Sequence, residues 1–353
     1  MARCRTLYNV ALEQRQTWWQ RGQDKSATYY QQAMELPDLK AACPDYAEVN
    51  AQVLQDVLRR LETAFQAFFR RVHAGETPGY PRFQGAGRYH SFTYPQYGGG
   101  AVLDGGVLSL SKIGRILIRI HRPVEGTPKT ITISREADGW YACISCADVP
   151  VKLLAPTRQE TGIDLGLEAF ATCSDGTRIF HPGWYRRAER ALKTAQRRVS
   201  RRKQGSSQRR KAVQLLAKTH LKVRRQRQDF HHKTALALVR ENDAVYHEDL
   251  QTANMLKNHH LAKSISDVGW SAFLSILSFK AACAGRSVVA VPPAFTSQLC
   301  SGCGVIVSKG LSVRWHACPE CGTTLHRDHN AALNILALGK NPSGAGLAPQ
   351  AST

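Results

Sequence analysis

Four cysteines carry the most specific chemistry in the 353-residue chain. Cys300-Ser-Gly-Cys303 and Cys318-Pro-Glu-Cys321 repeat one CxxC spelling across 14 intervening residues. Each pair sets two thiols on a tight knuckle, and Gly304 and Gly322 let the backbone turn close behind them. Two knuckles supply four sulfurs, the donor set of a closed tetrahedral Zn²⁺ site. Such an ion, with no coordination position open, folds a loop and performs no chemistry of its own. Cys143 and Cys146 share the spelling but lie in a strand-like apolar run without glycine. Their side chains point to opposite faces there, so they are expected to be buried thiols.

Three carboxylates stand at the ends of apolar segments. Asp164 closes the run in TGIDLG, Glu248 closes AVYHE, and Asp328 lies in HRDHNAALNIL, just ahead of an Ala- and Leu-rich helix. Phosphodiester hydrolysis needs an activated water and stabilised charge on the attacking and leaving oxygens. Two Mg²⁺ ions about 3.5–4 Å apart, held by clustered carboxylates, supply both. Taken singly, the three acids also read as a turn residue, a strand-end surface charge and an N-cap. Asp175, Asp249 and Asp267 are available competitors.

The elements that would position these groups show in the charge and the periodicity. Lys and Arg number 48 against 27 Asp and Glu, a net charge of +21, in a chain 43% hydrophobic. That composition excludes a disordered or fibrous chain, and the charge points to a polyanionic partner. No apolar run reaches the roughly 18 residues of a membrane span, and MARCRTLYNV holds no signal-peptide core. A soluble, cytoplasmic protein with no membrane partner is expected, its ten cysteines serving as ligands and free thiols and not as disulfides.

Between Arg186 and Arg227 stand 17 Lys and Arg and a single acid, Glu189. Leu192, Ala195 and Val199, then Val213, Leu216, His220 and Val223, recur at helical spacing around Gly205-Ser206-Ser207. The pattern predicts a helical hairpin over 184–228 whose self-repelling charge is neutralised by phosphates. Its nucleic-acid contacts are expected from Arg197, Arg198, Arg201, Arg202, Lys203, Arg209, Arg210, Lys211, Arg224, Arg225 and Arg227.

Upstream, residues 1–75 read as helical. One helix carries Tyr8, Val10, Leu12 and Trp19, and a later one has a core-facing stripe of Val57, Leu58, Leu61, Phe65, Phe68, Phe69 and Val72. Gly, Pro and aromatics fill 79–106, where Tyr80, Phe83, Tyr89, Phe92, Tyr94 and Tyr97 either stack nucleobases or anchor loops. Alternating runs at 107–111, 116–122, 130–134 and 140–149 predict a small antiparallel barrel or sheet. From Thr161 strands and helices alternate in α/β style, with a helix through His231–Arg240, another from Val268 to Ala284, and a strand at 287–292. The tail from Gly339 to Thr353 has a disordered composition.

Taken in order, GIDLG, QRQDFHHKTA, YHEDLQTANM, SDVGW, TSQLCSGCG and CPECGTTLHRDHNAALNIL resemble TnpB, the transposon-encoded family related to RNA-guided type V CRISPR nucleases. These motifs cover most of 160–337, and a weaker likeness extends through GYPRFQGAGRYHSFTYP. The resemblance implies a multidomain α+β chain: a helical recognition lobe (1–80), a β-barrel-like wedge domain (81–158), and a RuvC-like, RNase H-fold nuclease domain (159–296). A zinc-binding, target-nucleic-acid-binding insertion (297–325) and the last RuvC segment (326–338) follow. It implies catalytic, Mg²⁺-binding acids at Asp164, Glu248 and Asp328, with EDL aligning on Glu248 in preference to Asp249. The implied activity is Mg²⁺-dependent, RNA-guided cleavage of double-stranded DNA beside a short flanking motif, with a guide RNA from the transposon end. Rival readings are a silent RNA-guided DNA-binding regulator and a DNA transposase or its accessory protein. Family members open with a strand and further residues ahead of the region matching CRTLYNVALEQR, so part of the guide-RNA and target-recognition region is expected to be missing or supplied differently here. Many have Asp where His326 stands.

Overall fold

The amino-terminal segment is helical, as its apolar spacing predicts: α1 (Ala2–Gln20), α2 (Tyr29–Met34), α3 (Leu36–Ala42), α4 (Pro44–Ala47) and α5 (Ala51–His73). The computed structural model describes residues 1–20, 27–310 and 313–341; the Trp19 side chain and residues 342–353 of the tail lie outside these. Asn50 caps α5 by accepting from the Gln52 N–H, and Val53, Leu54, Val57, Leu58, Leu61 and Phe65 form its buried stripe. The stripe stops there, because Phe69 and Val72 are exposed.

Strands β1 (Ser91–Tyr94), β2 (Ala101–Asp104), β3 (Val107–Leu110), β4 (Gly114–Leu117), β5 (Thr127–Arg135) and β6 (Trp140–Ala147) follow. No barrel closes. They make two three-stranded antiparallel sheets, β1-β5-β6 and β2-β3-β4. Strands β1 to β4 are four residues each, and β2, β3 and β4 pair as a local meander with no rung to β1 or β6. Phe92, Tyr94, Leu108, Leu110, Ile131 and Ile133 share one core with α1 and α5, so Met1–Pro150 is one compact unit. Cys143 is exposed and Cys146 half-buried, contrary to expectation, because β6 is a sheet edge whose alternate side chains face solvent.

The second unit begins at Val151. It contains β7 (Glu160–Asp164), β8 (Ala171–Cys173), β9 (Arg178–Ile179), α6 (Trp184–Ser200), α7 (Ser207–Glu241) and β10 (Ala244–Glu248). Then come α8 (Thr252–Met255), α9 (Ala262–Val268), α10 (Trp270–Ala284), β11 (Ser287–Val291), β12 (Trp315–Ala317), β13 (Thr324–His326) and α11 (Arg327–Lys340). One sheet runs in the order β11-β10-β7-β8-β9; β7, β10 and β11 are parallel, and β8 and β9 antiparallel.

The two faces of this sheet differ. Ile163 and Val245 pack with Leu238 of α7 and with Phe273 and Leu277 of α10. Ala244, Tyr246 and Val291 pack with Ile335 of α11. Gly162 and Gly339 let α11 come this close. A Cβ on Gly162 would sit 2.2 Å from the Ala332 carbonyl oxygen, and one on Gly339 would enter the Tyr246 ring. Gly339 and Lys340 therefore end a helix where an unstructured tail was expected.

The hairpin forms, with α6 and α7 as its arms, but α7 is one 35-residue helix running through His231–Arg240 without a break. Ser206 caps it by accepting from the Arg209 N–H at 3.1 Å. The buried face of α7 is set by Ala212, Leu221 and Val223, while Val213 and His220 point outward. The expected 268–284 helix forms as α10, starting two residues later, and Gly269, left-handed at φ 64°, separates it from the shorter α9 ahead of it. No helix among the described residues is long and apolar enough to cross a membrane.

Candidate active site

Side chains alternate along a strand, which puts Gly162 and Asp164 on one face of β7, and Tyr246 and Glu248 on one face of β10. Tyr246 pairs with Gly162, so the two acids follow at the same end of neighbouring parallel strands, on the α11 side. Asp328 stands in the first turn of α11. Its Oδ2 is 4.0 Å from the place a Cβ on Gly166 would take, just beyond Asp164. Three segments far apart in sequence thus bring their carboxylates to one sheet end.

The acids sense one another. Burial raises the Asp164 pKa well above the usual aspartate range, the charges of Glu248 and Asp328 raise it further, and Arg327 opposes them. Burial also raises Glu248, against the Thr296 hydroxyl that donates to it and the charge of Arg327. The competitors lie elsewhere. Asp249 is exposed, Asp175 accepts from Thr177 in its own turn, and Asp267 is buried in α9. The ligand atoms of these three acids do not all lie within 4.8 Å of one another.

Glu168, His326 and Asp328 do lie that close. Glu168 is already compensated by Arg178 at 2.7 Å and Arg314 at 3.4 Å, and those two cations hold its pKa down. His326 caps α11, its Nδ1 accepting from the Asp328 N–H at 3.3 Å. Sequence reading missed Glu168 and Arg327, which carry no spacing signal.

The four cysteines meet. Cys300 Sγ is 3.6 Å from Cys321 Sγ, and Cys303 Sγ is 3.5 Å from Cys318 Sγ. Tetrahedral bonds of about 2.3 Å to sulfur imply S···S edges near 3.8 Å, so the cluster fits a Zn²⁺ ion. The stretch leading into it is tied to α11: Asn330 and Asn334 both donate to the Leu299 carbonyl at 2.7 Å. Polar residues four apart on the apolar side of NAALN were the signal available for these two. Thr296 had none.

The hairpin cations divide into two sets. Arg197, Arg198, Arg201, Arg202, Lys203, Arg210, Lys211, Arg224 and Arg225 are exposed. Arg209 instead donates to the carbonyls of Val199 and Arg202, closing the turn. Arg227 donates to the Ser266 carbonyl at 2.9 Å, beside His231, whose Nε2–H donates to the Val268 carbonyl at 2.8 Å. Burial pulls the His231 pKa down to about 4. Of the loop aromatics, Phe92 and Tyr94 are core, Tyr89 packs on the core and Tyr97 bonds Leu103, whereas Tyr80 and Phe83 are exposed.

A mixed α/β fold with clustered acids at one sheet end and a four-cysteine loop defines the class. The solved structure of a Cas12f1–sgRNA–target DNA complex has a similar fold, with a TM-score of 0.56 and 15% identity over 95% of this chain and 80% of that one. The family OrfB_IS605, described as "Probable transposase", matches residues 144–259, and the Cas12f1-like TNB domain matches 270–335. A "Putative RNA-guided DNA endonuclease" of Streptomyces pristinaespiralis is 39% identical over 98% of this chain and 86% of its own length. "Putative RNA-guided DNA endonuclease InsQ" of Escherichia coli is 32% identical over 95% and 86%. The chain belongs to this TnpB-like family of RNA-guided DNA endonucleases.

Proposed function

We propose that this chain is an RNA-guided DNA endonuclease, encoded by a transposable element, that cleaves DNA at a RuvC-like site of Asp164, Glu248 and Asp328. The observation that carries the reading is the convergence of these acids on one end of the β10-β7 pair, with Asp164 under the charge of both others. The sheet order, with the antiparallel β7-β8-β9 meander extended past β7 by the parallel strands β10 and β11, supports the RNase H-type assignment.

The donor set fits hard divalent cations. Carboxylate oxygens are their preferred ligands, and the charge that Glu248 and Asp328 impose on the buried Asp164 carboxylate is relieved by a cation. When bound, two Mg²⁺ ions would supply an activated water and neutralise charge at the scissile phosphate. Asp164, Glu248 and Asp328 hold the ions, and Arg327 tempers the acids' mutual repulsion. A Zn²⁺ held by Cys300, Cys303, Cys318 and Cys321 shapes residues 297–325, which present the single strand to the acids.

The exposed cations of α6 and α7 bind phosphates of the guide RNA–DNA duplex, with base pairing supplying the sequence. Residues 1–80 act in recognition, and 81–158 contact RNA and the flanking DNA motif. Purifying the protein from cells carrying its native locus, and sequencing the RNA bound to it, tests the reading. A defined transposon-end RNA should co-purify. Matched DNA should be cut with Mg²⁺ and left whole with chelator; cutting in chelator, or no bound RNA, would reject it.

A further inference from the structure

The loop leading from β11 into the first cysteine pair is fastened to the elements that carry two of the three acids. Thr296 is 2% exposed. Its hydroxyl donates to Glu248 Oε1, and its carbonyl accepts from Asn334 Nδ2 at 2.8 Å. The hydroxyl has one hydrogen and a second acceptor in reach, the Pro293 carbonyl at 3.3 Å. An ionised carboxylate is the stronger acceptor of the two.

Next to Cys300 the loop is pinned again. The Leu299 carbonyl takes both Asn330 and Asn334, and the Ser301 N–H donates to Asn330 Oδ1 at 2.9 Å. Phe295, just before Thr296, holds φ 61°. A bulky residue keeps that left-handed conformation only where its surroundings enforce it. Contacts therefore run from Cys300 through its two neighbours to Asn330 and Asn334, then to Thr296, and end on Glu248.

We propose that Thr296 is a positioning residue: it orients the Glu248 carboxylate for divalent-cation binding and makes that orientation depend on the four-cysteine loop. This rests on the metal-site reading above. Partners that orient a ligating side chain typically change metal affinity by about 10–100-fold when removed. A threonine that merely stabilised its loop would change melting temperature and leave the affinity alone.

The test is a Mn²⁺ titration, followed by electron paramagnetic resonance, of the full-length protein purified with its RNA. Asp164→Asn identifies the Mn²⁺ held at the acids as the fraction it abolishes. Thr296→Val should weaken that fraction about 10-fold, and Thr296→Ser, which keeps the hydroxyl, should restore it. Cys300→Ser should weaken it as well, and should add little in the Thr296→Val background. Wild-type Mn²⁺ affinity in Thr296→Val, or failure of Thr296→Ser to restore it, would overturn the positioning role. Unchanged affinity in Cys300→Ser would remove the dependence on the cysteine loop. If Asp164→Asn abolishes no Mn²⁺ binding, the metal-site reading itself fails, and the role of Thr296 with it.

Discussion

At Asp164 a carboxylate is buried beside two others, with Arg327 as the opposing charge. A raised carboxyl pKa means the folded state holds its proton more tightly than the unfolded chain. The metal-free fold thus loses stability as pH rises through the raised value. Asp164→Asn should abolish cleavage while leaving RNA and DNA binding intact. It should also stabilise the metal-free protein, because it removes a buried charge that the neighbouring acids repel. Denaturant unfolding in chelator measures this; retained nicking would take Asp164 out of the site. The meeting of the four cysteines was legible in the sequence because their spacing is duplicated, whereas Asp164, which by itself also reads as a turn residue, was singled out by the family resemblance. Thr296 was not legible, because its partner Glu248 lies 48 residues away. Glu248 and Asp249 are adjacent in sequence, where only the family resemblance favoured Glu248; in the fold Glu248 ends β10 half-buried and Asp249, just past the strand, is exposed.

Among elements, α11 and α7 do the positioning. Gly162→Ala would drive a methyl into the α11 backbone. Overpacking of this kind costs about 1–3 kcal/mol, and here it also shifts Asp328 relative to Asp164. Cleavage should fall more than stability does, as single-turnover rates and thermal melts would show; full activity would mean α11 tolerates the shift. His231 ties α7 to α9 as a neutral donor. Its pKa is about 6.5 when unfolded and about 4 when folded. The stability it contributes is complete above 6.5 and is lost as pH falls toward 4. The loss is on the order of 3 kcal/mol, and His231→Gln should flatten that part of the pH–stability curve. An unaltered curve would count against a buried neutral imidazole. Helical spacing revealed the hairpin, but could not show that α7 continues past Arg227 or that Arg209 faces carbonyls. Those facts depend on the partner chain segment. The barrel failed for a similar reason: alternation identifies strands, and whether four-residue strands close a ring is decided by pairing at a distance.

Over the whole molecule, charge and acids divide the work. In the proposed function, the exposed cations of α6 and its turn provide affinity that depends on salt. Reversing the charges of Arg197, Arg198, Arg201 and Arg202 should lower the slope of log K against log salt by roughly 3–4 if each meets a phosphate, given about 0.9 per contact. An unchanged slope would place the duplex elsewhere. The acids provide no affinity of that kind, so binding and cleavage should separate cleanly. The most direct test of the central claim is cleavage of guide-matched DNA in Mg²⁺ by the RNA-loaded protein, comparing Asp164→Asn, Glu248→Gln and Asp328→Asn with Asp249→Asn. The first three should bind the DNA and leave it uncut, while Asp249→Asn cuts like wild type. Wild-type cutting by any of the three, or its loss in Asp249→Asn alone, would contradict a shared site at the end of β7 and β10.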